Sequence, residues 1–464
     1  MIAEIELSTL SKIINNQRSY FNSGATLSYE FRIQQLKKLK QVIRNHEQDI
    51  FDALKTDLNK HEFESYSTEV GLVYEELNIA ISHLKKWMKP ERKSTPMVLF
   101  PSSSYLYKDP LGCVLIIAPW NYPFQLLINP LVGAIAGGNC AVLKPSELAP
   151  ATAVIIEKII SETFSPEYVA TIQGEGHVVI PEMMNNHRFD LVFFTGSIPV
   201  GRSIAEMAAK KLTPVILELG GKSPCVVDKD VDLNHAAKRI VWGKFTNAGQ
   251  TCVAPDYLLI HNSQKEKLIE LIKETIVSFF GEQAIKADYG RIITTKRFKT
   301  LAGYLADGEI IYGGHTNEEE LFIEPTLMTN VSLDAPLMHD EIFGPILPIF
   351  GFDTHEEAMN IIARNPNPLS FYLFSKNSST ADFYTKHLAF GGGCINNTLV
   401  HLGNSNIPFG GVGNSGMGHY HGKFSFEAFS RIKSVVKTGT WFDSGVYYAP
   451  FKEKIKIARM FLRF

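Results

Sequence analysis

Leu191-Val192-Phe193-Phe194-Thr195-Gly196-Ser197-Ile198-Pro199-Val200-Gly201 carries the reading on which the fold turns. Residues 191–195 make an apolar run of strand length, Gly196 and Ser197 a turn, and residues 200–210 a helix-length amphipathic segment. Outward from it the same rhythm repeats. Apolar runs at 113–118, 140–144, 169–173 and 215–219 alternate with helical segments at 124–136 and 151–163, the pattern of a parallel sheet covered by helices. A second series begins near Ser223, with runs at 225–228, 258–261, 346–350, 372–375 and 394–396. The expectation is an α/β protein of two Rossmann-like parallel-sheet lobes joined near residues 218–222. Ligands of open α/β sheets gather at the carboxyl ends of strands, which puts Glu218 beside such a site.

Residues 1–93, dense in Lys, Glu, Leu and Ile at helical spacing, read as amphipathic helices packed on the first lobe. Residues 94–109 change to Pro, Ser and Tyr with alternation through Tyr105-Leu106-Tyr107, an extended ribbon rather than a linker. Residues 126–143 tempt a transmembrane reading, but Asn129, Pro130, Asn139 and the Gly137-Gly138 pair make them a buried helix running into a strand. No internal repeat is visible.

A chain of 464 residues at 45% hydrophobic content can bury a sizeable core in two or three folding units. A formal net charge of −2, with no strongly basic domain, gives no reason to expect nucleic acid. The five cysteines, Cys113, Cys140, Cys225, Cys252 and Cys394, are scattered and lack CxxC spacing or nearby His ligands. That argues against a disulfide framework and against a metal site, and His401 and His421 also lack spaced partners. Met1-Ile2-Ala3-Glu4-Ile5-Glu6 is acidic where a secretory signal is basic, so residence is expected to be cytoplasmic. The tail 451–464 interleaves Lys and Arg with apolar residues, which suits either contact with an anionic membrane surface or, the favoured reading, a helix docked on its own protein; it is too short to span a bilayer.

Chemistry enters with Asn247-Ala248-Gly249-Gln250-Thr251-Cys252 and the earlier Leu217-Glu218-Leu219-Gly220-Gly221-Lys222. A thiolate can form a covalent adduct, and a nearby carboxylate can take a proton from the water that breaks it. A lone Cys in such a fold is ordinarily a small buried apolar residue; the flanking motif and Glu218 favour a nucleophile at Cys252. Glu218 ends an apolar strand, and a dry surrounding raises a carboxyl pKa from ~4.3 toward the working range of a base, although a salt-bridged carboxylate at a strand end is the plainer alternative. Gly196, Ser197 and Gly201 lie between a strand and a helix start, where backbone N–H groups and the Ser197 hydroxyl can meet a pyrophosphate. This is not GxGxxG, and two glycines at that spacing are weak evidence by themselves.

These segments, with Pro119-Trp120-Asn121-Tyr122-Pro123, Glu341-Ile342-Phe343-Gly344-Pro345 and Pro408-Phe409-Gly410-Gly411, resemble the motif set of the NAD(P)-dependent aldehyde dehydrogenase superfamily, in order, over residues 111–431. The short amino-terminal region and Asn414-Ser415-Gly416-Met417-Gly418-His419-Tyr420-His421-Gly422-Lys423 resemble more narrowly the class 3 type, which acts on fatty and aromatic aldehydes.

The resemblance implies oxidation of an aldehyde to its acid through a Cys252 thiohemiacetal and a thioester, hydrolysed by water that Glu218 activates. It implies an oxyanion hole built from the Asn121 side chain and the Cys252 backbone N–H, against the alternative that Asn121 merely caps the helix starting near Pro123. Lys144 and Glu147 would hold the adenosine ribose, and Glu341 and Phe343 the nicotinamide ribose. Glu147 would repel a 2′-phosphate, so NAD is expected over NADP, with NADP possible because Lys144 can compensate. Tyr122 and Trp242 are candidates to line an aldehyde tunnel, or else ordinary core.

The implied division is 1–93 and 111–217 for NAD(P) binding, 218–398 for catalysis, 94–110 and 399–440 for a small β oligomerisation ribbon that builds a homodimer, and 441–464 as the tail. A coenzyme A-acylating relative would need no base at Glu218, and a catalytically silent nucleotide-binding or structural homologue would tend to have lost Cys252. A Cys–His thiol hydrolase is the remaining reading, and it requires ester turnover without NAD.

Overall fold

The computed structural model describes residues 7–281, 285 and 288–462. The acidic opening 1–6 and residues 463–464 of the tail lie outside the described residues. The amphipathic opening forms α1 (Leu7–Asn22), α2 (Tyr29–Asn45), α3 (Glu47–Leu58), α4 (Glu62–Ser65) and α5 (Gly71–Trp87), with a π-helical turn at Tyr66–Val70 joining the last two. Leu36, Leu39, Ile43, Leu54, Val73 and Leu77 occupy the helical stripe that is wholly withdrawn from solvent.

Two strands follow, β1 (Glu91–Lys93) and β2 (Ser102–Pro110), and then the first sheet: β3 (Cys113–Ile117), β4 (Cys140–Lys144), β5 (Val169–Thr171), β6 (Leu191–Gly196) and β7 (Val215–Leu219). These five are parallel, and a short antiparallel strand, β17 (Gly416–Met417), closes the edge in the order β17-β7-β6-β3-β4-β5. Every residue of β3 and β4 is buried. Helices on both faces account for that, and it is why these strands read as unbroken apolar runs instead of alternating.

The crossovers are α6 (Gln125–Gly137), α7 (Pro150–Thr163), α8 (Gly176–Asn186) and α9 (Ile198–Ala209). Helix α6 is buried on all sides and hands over to β4 through Gly138, at φ +87°, so residues 126–143 are an interior helix and strand. A Cβ on Gly138 would sit 2.4 Å from the Arg32 guanidinium, which donates to the carbonyls of Thr26 and Ala136 at 2.9 and 3.0 Å. Helix α9 starts at Ile198, two residues ahead of the sequence expectation, because Pro199 suits a first helical turn.

The second sheet contains β8 (Pro224–Val227), β9 (Tyr257–His261), β10 (Glu309–Tyr312), β13 (Thr326–Thr329), β14 (Ile346–Phe352), β15 (Ser370–Phe374) and β16 (Gly392–Ile395), ordered β10-β13-β14-β9-β8-β15-β16. Only β10 is antiparallel to its neighbour. Helix α10 (Leu233–Phe245) crosses between β8 and β9, and a small hairpin, β11 (Thr316–Asn317) with β12 (Phe322–Ile323), stands apart. Strands β10 to β13 were not legible as strands, being short and partly polar.

The ribbon is shorter than the sequence suggests. Residues 97–99 form a 3-10 turn between Pro96 and Pro101, which lack the N–H a ladder needs, and β2 begins only at Ser102. From there it pairs antiparallel with β18 (Ser430–Thr438) along its whole length, in the order β1-β2-β18. A closing helix, Lys454–Leu462, lies against residues 97–99, and the Tyr447 hydroxyl donates to the Val98 carbonyl at 2.9 Å. Among the described residues no helix is long and apolar enough to cross a membrane.

Candidate active site

The parallel direction of the first sheet brings the carboxyl ends of its strands to one edge. Along it stand Glu218 in β7, the Thr195-Gly196-Ser197 turn after β6, the Asn121 turn after β3, and Lys144 to Glu147 after β4. The turn that bears Cys252 comes from the other sheet, between α10 and β9.

Asn247, Ala248 and Gly249 are three successive left-handed residues, at φ +53°, +52° and +73°. Asn and Gly accept that region, whereas for Ala248 it costs on the order of 1–2 kcal/mol. The turn persists because its polar groups are held. The Asn247 N–H donates to Glu64 Oε1 at 2.8 Å, its Nδ2 to the Asn121 carbonyl at 2.9 Å, and Gln250 Nε2 to the carbonyls of Asn247 and Arg291 at 3.1 and 2.9 Å. A Cβ at Gly249 would come within 2.3 Å of the Gly344 carbonyl, so the turn also needs glycine to pack on the loop that carries Glu341 and Phe343.

Asn121 is buried and donates through Nδ2 to the Gln250 carbonyl at 3.0 Å, and its second amide hydrogen has no acceptor among the described residues. It caps no helix; the residue preceding α6 is Phe124. The adjacent Tyr122 hydroxyl lies 2.5 Å from Thr251 Oγ1, tying the Asn121 turn to the Cys252 turn.

Burial pushes the Cys252 thiol above its ordinary range, and the charges of Glu341 and Glu218 push it the same way; the backbone N–H groups of Cys252 and Val253 oppose this without prevailing. Glu218 is buried, and neither carboxylate oxygen has a hydrogen-bond partner among the described residues. Burial alone raises it well above the usual carboxylate range, and the salt-bridged alternative for this residue is not what the structure contains. Glu341 is also raised, first by burial and then by Asp256, and its carboxylate crowds Gly220, where a Cβ would stand 1.9 Å from Oε2. Phe343, at φ +47°, meets the Trp120 ring edge-on with centroids 5.3 Å apart.

The dinucleotide fit rests on groups left without partners. Thr195 Oγ1 and Gln173 Oε1 are buried and unpaired, and Ser197, at the N-cap of α9, makes no capping bond with its hydroxyl. An anion at that helix start would find a free hydroxyl and the positive end of the helix dipole. Gly201 is buried one turn into α9, and a Cβ there would meet Leu219 at 2.5 Å, so it allows the helix to lie close on β7; a Cβ at Gly196 would likewise meet the Phe194 ring at 2.5 Å. Glu147 bonds Lys144 and accepts from the Gly176 N–H at 2.9 Å; burial would raise its pKa, but those bonds outweigh it and hold the carboxyl below the usual range.

Cys252 also lines a cavity of about 310 Å³ whose surface is mainly apolar, with Leu126, Trp242, Val253, Leu399, Val400 and Phe409 in its wall beside Tyr122, His421 and polar residues that include Glu75, Glu76, Gln125 and Asn129. Asn121 and Glu218 stand outside that lining. Burial pushes His401 and His421 down to about 4, so both imidazoles are neutral; His401 bonds Ser370 Oγ at 3.1 Å and His421 stacks on Phe409. No group of three or more His, Cys, Asp and Glu among the described residues could hold a metal ion.

Sequence reading missed the charged groups that fasten these turns. Lys222 is buried, pairs with Asp256 at 2.5 Å and donates to the carbonyls of Leu337 and Asp340, while Asp256 accepts from the Ile342 N–H at 2.9 Å, fixing the Glu341 loop. Lys60, Glu64 and Glu69 do the same for the turns that bear Asn121 and Asn247. Glu64 and Glu69 lie in helical turns, where charges ordinarily face solvent, and nothing in the sequence marks any of the five as interior.

The family model described as "Aldehyde dehydrogenase family" matches residues 2–435. The chain is 47% identical over 451 residues to 4,4'-diaponeurosporen-aldehyde dehydrogenase of Staphylococcus aureus, covering 97% of this chain and 98% of that one. It is 43% identical over 431 residues to a dimeric, NADP-preferring aldehyde dehydrogenase of Canis lupus familiaris, covering 92% and 94%. Its fold is similar to the substrate-bound structure of Staphylococcus aureus AldH, with a TM-score of 0.95 at 46% identity over 98% of this chain and 99% of that one.

Proposed function

Because this chain belongs to the aldehyde dehydrogenase family, and so oxidises aldehydes to carboxylic acids with NAD or NADP, we propose that Cys252, Asn121 and Glu218 carry that reaction on a long apolar or aromatic aldehyde. The single observation that carries the reading is the buried, unpartnered carboxylate of Glu218 close enough to the Cys252 thiol to raise its pKa. A buried carboxylate with no partner is costly to the fold, and a base that must turn over needs that freedom.

In this reading Cys252 adds to the aldehyde carbon within the mainly apolar cavity, and the free Asn121 amide hydrogen with the Cys252 backbone N–H meets the oxygen as it becomes an alkoxide. Bound NAD or NADP supplies the hydride acceptor. The tetrahedral adduct collapses to a thioester on Cys252 as hydride leaves. Glu218, ionised, then takes a proton from water, the hydroxide adds to the thioester, and the acid departs. The thiol is protonated at rest in this site, so its proton must go to a neighbouring base before attack; Glu218 and Glu341, both raised, are the neighbours able to receive it.

Lys144 and Glu147 would hold the adenosine ribose, with Ser197 and the start of α9 on the pyrophosphate and Glu341 and Phe343 on the nicotinamide ribose. The first sheet with residues 1–93 and 111–217 serves as the dinucleotide half and 218–398 as the catalytic half. An ionised Glu147 opposes a 2′-phosphate, so NAD is the preferred cofactor. Glu147→Gln should release Lys144 to meet that phosphate and shift the ratio of kcat/KM values by roughly 10-fold toward NADP. An unchanged ratio would remove Glu147 from the ribose site.

The substrate class rests on the cavity lining. Each methylene drawn into an apolar tunnel contributes ~0.8 kcal/mol, about 4-fold in kcat/KM. NADH formation at 340 nm along a series from hexanal to dodecanal, with benzaldehyde beside it, should therefore climb with chain length until the tunnel is filled. A flat series would overturn the substrate class while leaving the reaction intact. The exposed edge of β18, with Ile432 and Val436 in solvent, supports a homodimer built on the ribbon. The five free cysteines, including the cross-strand neighbours Cys113 and Cys140, support a reducing cytoplasmic compartment.

A further inference from the structure

Ser67 and Thr68 reach the cavity wall, but Lys60 and Glu69, on either side of them, do not, and they form an ion pair buried in the interior. Lys60 and Glu69 are both fully withdrawn from solvent, with Nζ to Oε1 at 2.5 Å. Replacing such a pair with apolar groups of similar volume is often neutral or stabilising, so its presence calls for another reason. Their remaining contacts supply one. Lys60 Nζ donates to the Asn121 carbonyl at 2.9 Å and lies 4.1 Å over the Tyr122 ring centroid. The second oxygen of Glu69 accepts from the N–H groups of Phe124 and Gln125 at 2.9 and 3.2 Å. The turn that bears Asn121 is thus gripped at its carbonyl and at the start of α6.

Glu64, four residues after Lys60, reaches the other turn and accepts from the Asn247 N–H at 2.8 Å. Asn247 in turn shares the Asn121 carbonyl with Lys60. One short segment therefore fastens the turn that bears Asn121 and the start of the turn that leads to Cys252, although the two come from different sheets. Glu69 owes its place to the π-helical turn Tyr66–Val70, whose extra residue re-aims the side chains after it.

The geometry points to Lys60 and Glu69 as positioning residues for the oxyanion hole: they set the plane of the Asn121 peptide and thereby aim its free amide hydrogen at the substrate oxygen. The inference rests on the reading of Asn121 as an oxyanion donor. Neither residue touches the cavity. An effect that passes through Asn121 is separable from a structural one and from one that reaches the cavity through Tyr122, over whose ring Lys60 lies.

The test is a double-mutant cycle in the full-length protein, reading the first turnover of NADH with saturating NAD and hexanal by stopped flow. Lys60→Met should slow that turnover by ~10–100-fold, the scale of a misplaced donor, with the KM for hexanal changed less than 2-fold. Asn121→Ala alone should be slowed by about 100-fold. In the Asn121→Ala background Lys60→Met should have almost no further effect, because the donor it aims is gone. Since Lys60→Met alone leaves a carboxylate unpaired in the interior, Lys60→Met with Glu69→Gln provides the folded comparison: its thermal midpoint should recover while its first turnover stays slow. Additive losses in the cycle, or a first turnover that recovers together with the midpoint, overturn the inference and leave Asn121 in its role. A normal first turnover in Asn121→Ala would overturn the underlying reading, and the inference with it.

Discussion

Replacing Cys252 by alanine is expected to abolish aldehyde-dependent NADH formation, by at least ~10⁴-fold in kcat, with NAD binding and the thermal midpoint held near those of the parent. The size follows from the chemistry: a hydride has no easy departure from a planar carbonyl, and without a covalent adduct the remaining donors act on the wrong geometry. The fold should tolerate the change, since the strained turn is held by Asn247, Gln250 and Glu64 and not by the thiol. A control is built into the chain. Cys394 Sγ lies 3.5 Å from His401 Nδ1, the pairing a Cys–His hydrolase would use, yet His401 is neutral and bonded to Ser370. Cys394→Ala should stay within 2-fold of the parent.

The same site predicts how the thiol titrates. With burial, Glu341 and Glu218 all holding it protonated, alkylation by iodoacetamide in the absence of cofactor should keep accelerating as pH rises past the ~8.5 of a free cysteine, without a plateau there. Residual turnover above about 1% in Cys252→Ala, or a plateau near neutral pH, would point to a different nucleophile or a differently activated one.

What could be read from the sequence and what could not divides along physical lines. Strands β3, β4, β6 and β7 were legible because both faces are covered, so each is an unbroken apolar run bounded by a turn. Cys252 and Asn121 stood out as candidates because each sits in a turn whose composition is odd for simple packing, and Glu218 because it puts a carboxylate near the end of an apolar strand. Illegible features depend on what lies across the fold. Nothing in the sequence around Gly201 shows that the Leu219 side chain packs against it. Lys60 and Glu69 look like a solvated helical face until α6 is seen above them. The two-residue strand β17 has no pattern of its own; it exists because Gly416 can pair with Glu218.

Glu218→Gln should separate the two halves of the reaction. The variant is expected to release one equivalent of NADH per active site at close to the parent rate and then to turn over ~10²–10⁴-fold more slowly, the usual worth of a positioned general base. In the parent, steady-state turnover should rise with pH as Glu218 loses its proton, and since burial holds that carboxyl well above its usual range, the rise should come well above the ~4.3 of an ordinary glutamate. The variant should lose that limb. Stability supplies an independent sign. A carboxyl whose folded-state pKa lies above its unfolded one keeps a proton that the unfolded chain has released, so stability declines as pH climbs from the unfolded value through the folded one. Glutamine carries no such penalty, and the variant's thermal midpoint should therefore match the parent's near pH 4 and exceed it increasingly as pH rises. A carboxylate held by a salt bridge would give the opposite sign, a midpoint lowered by the substitution. Loss of the first equivalent along with the steady state would instead assign Glu218 to deprotonating Cys252, and unimpaired turnover would transfer the hydrolytic role to Glu341, the other raised carboxyl beside the thiol.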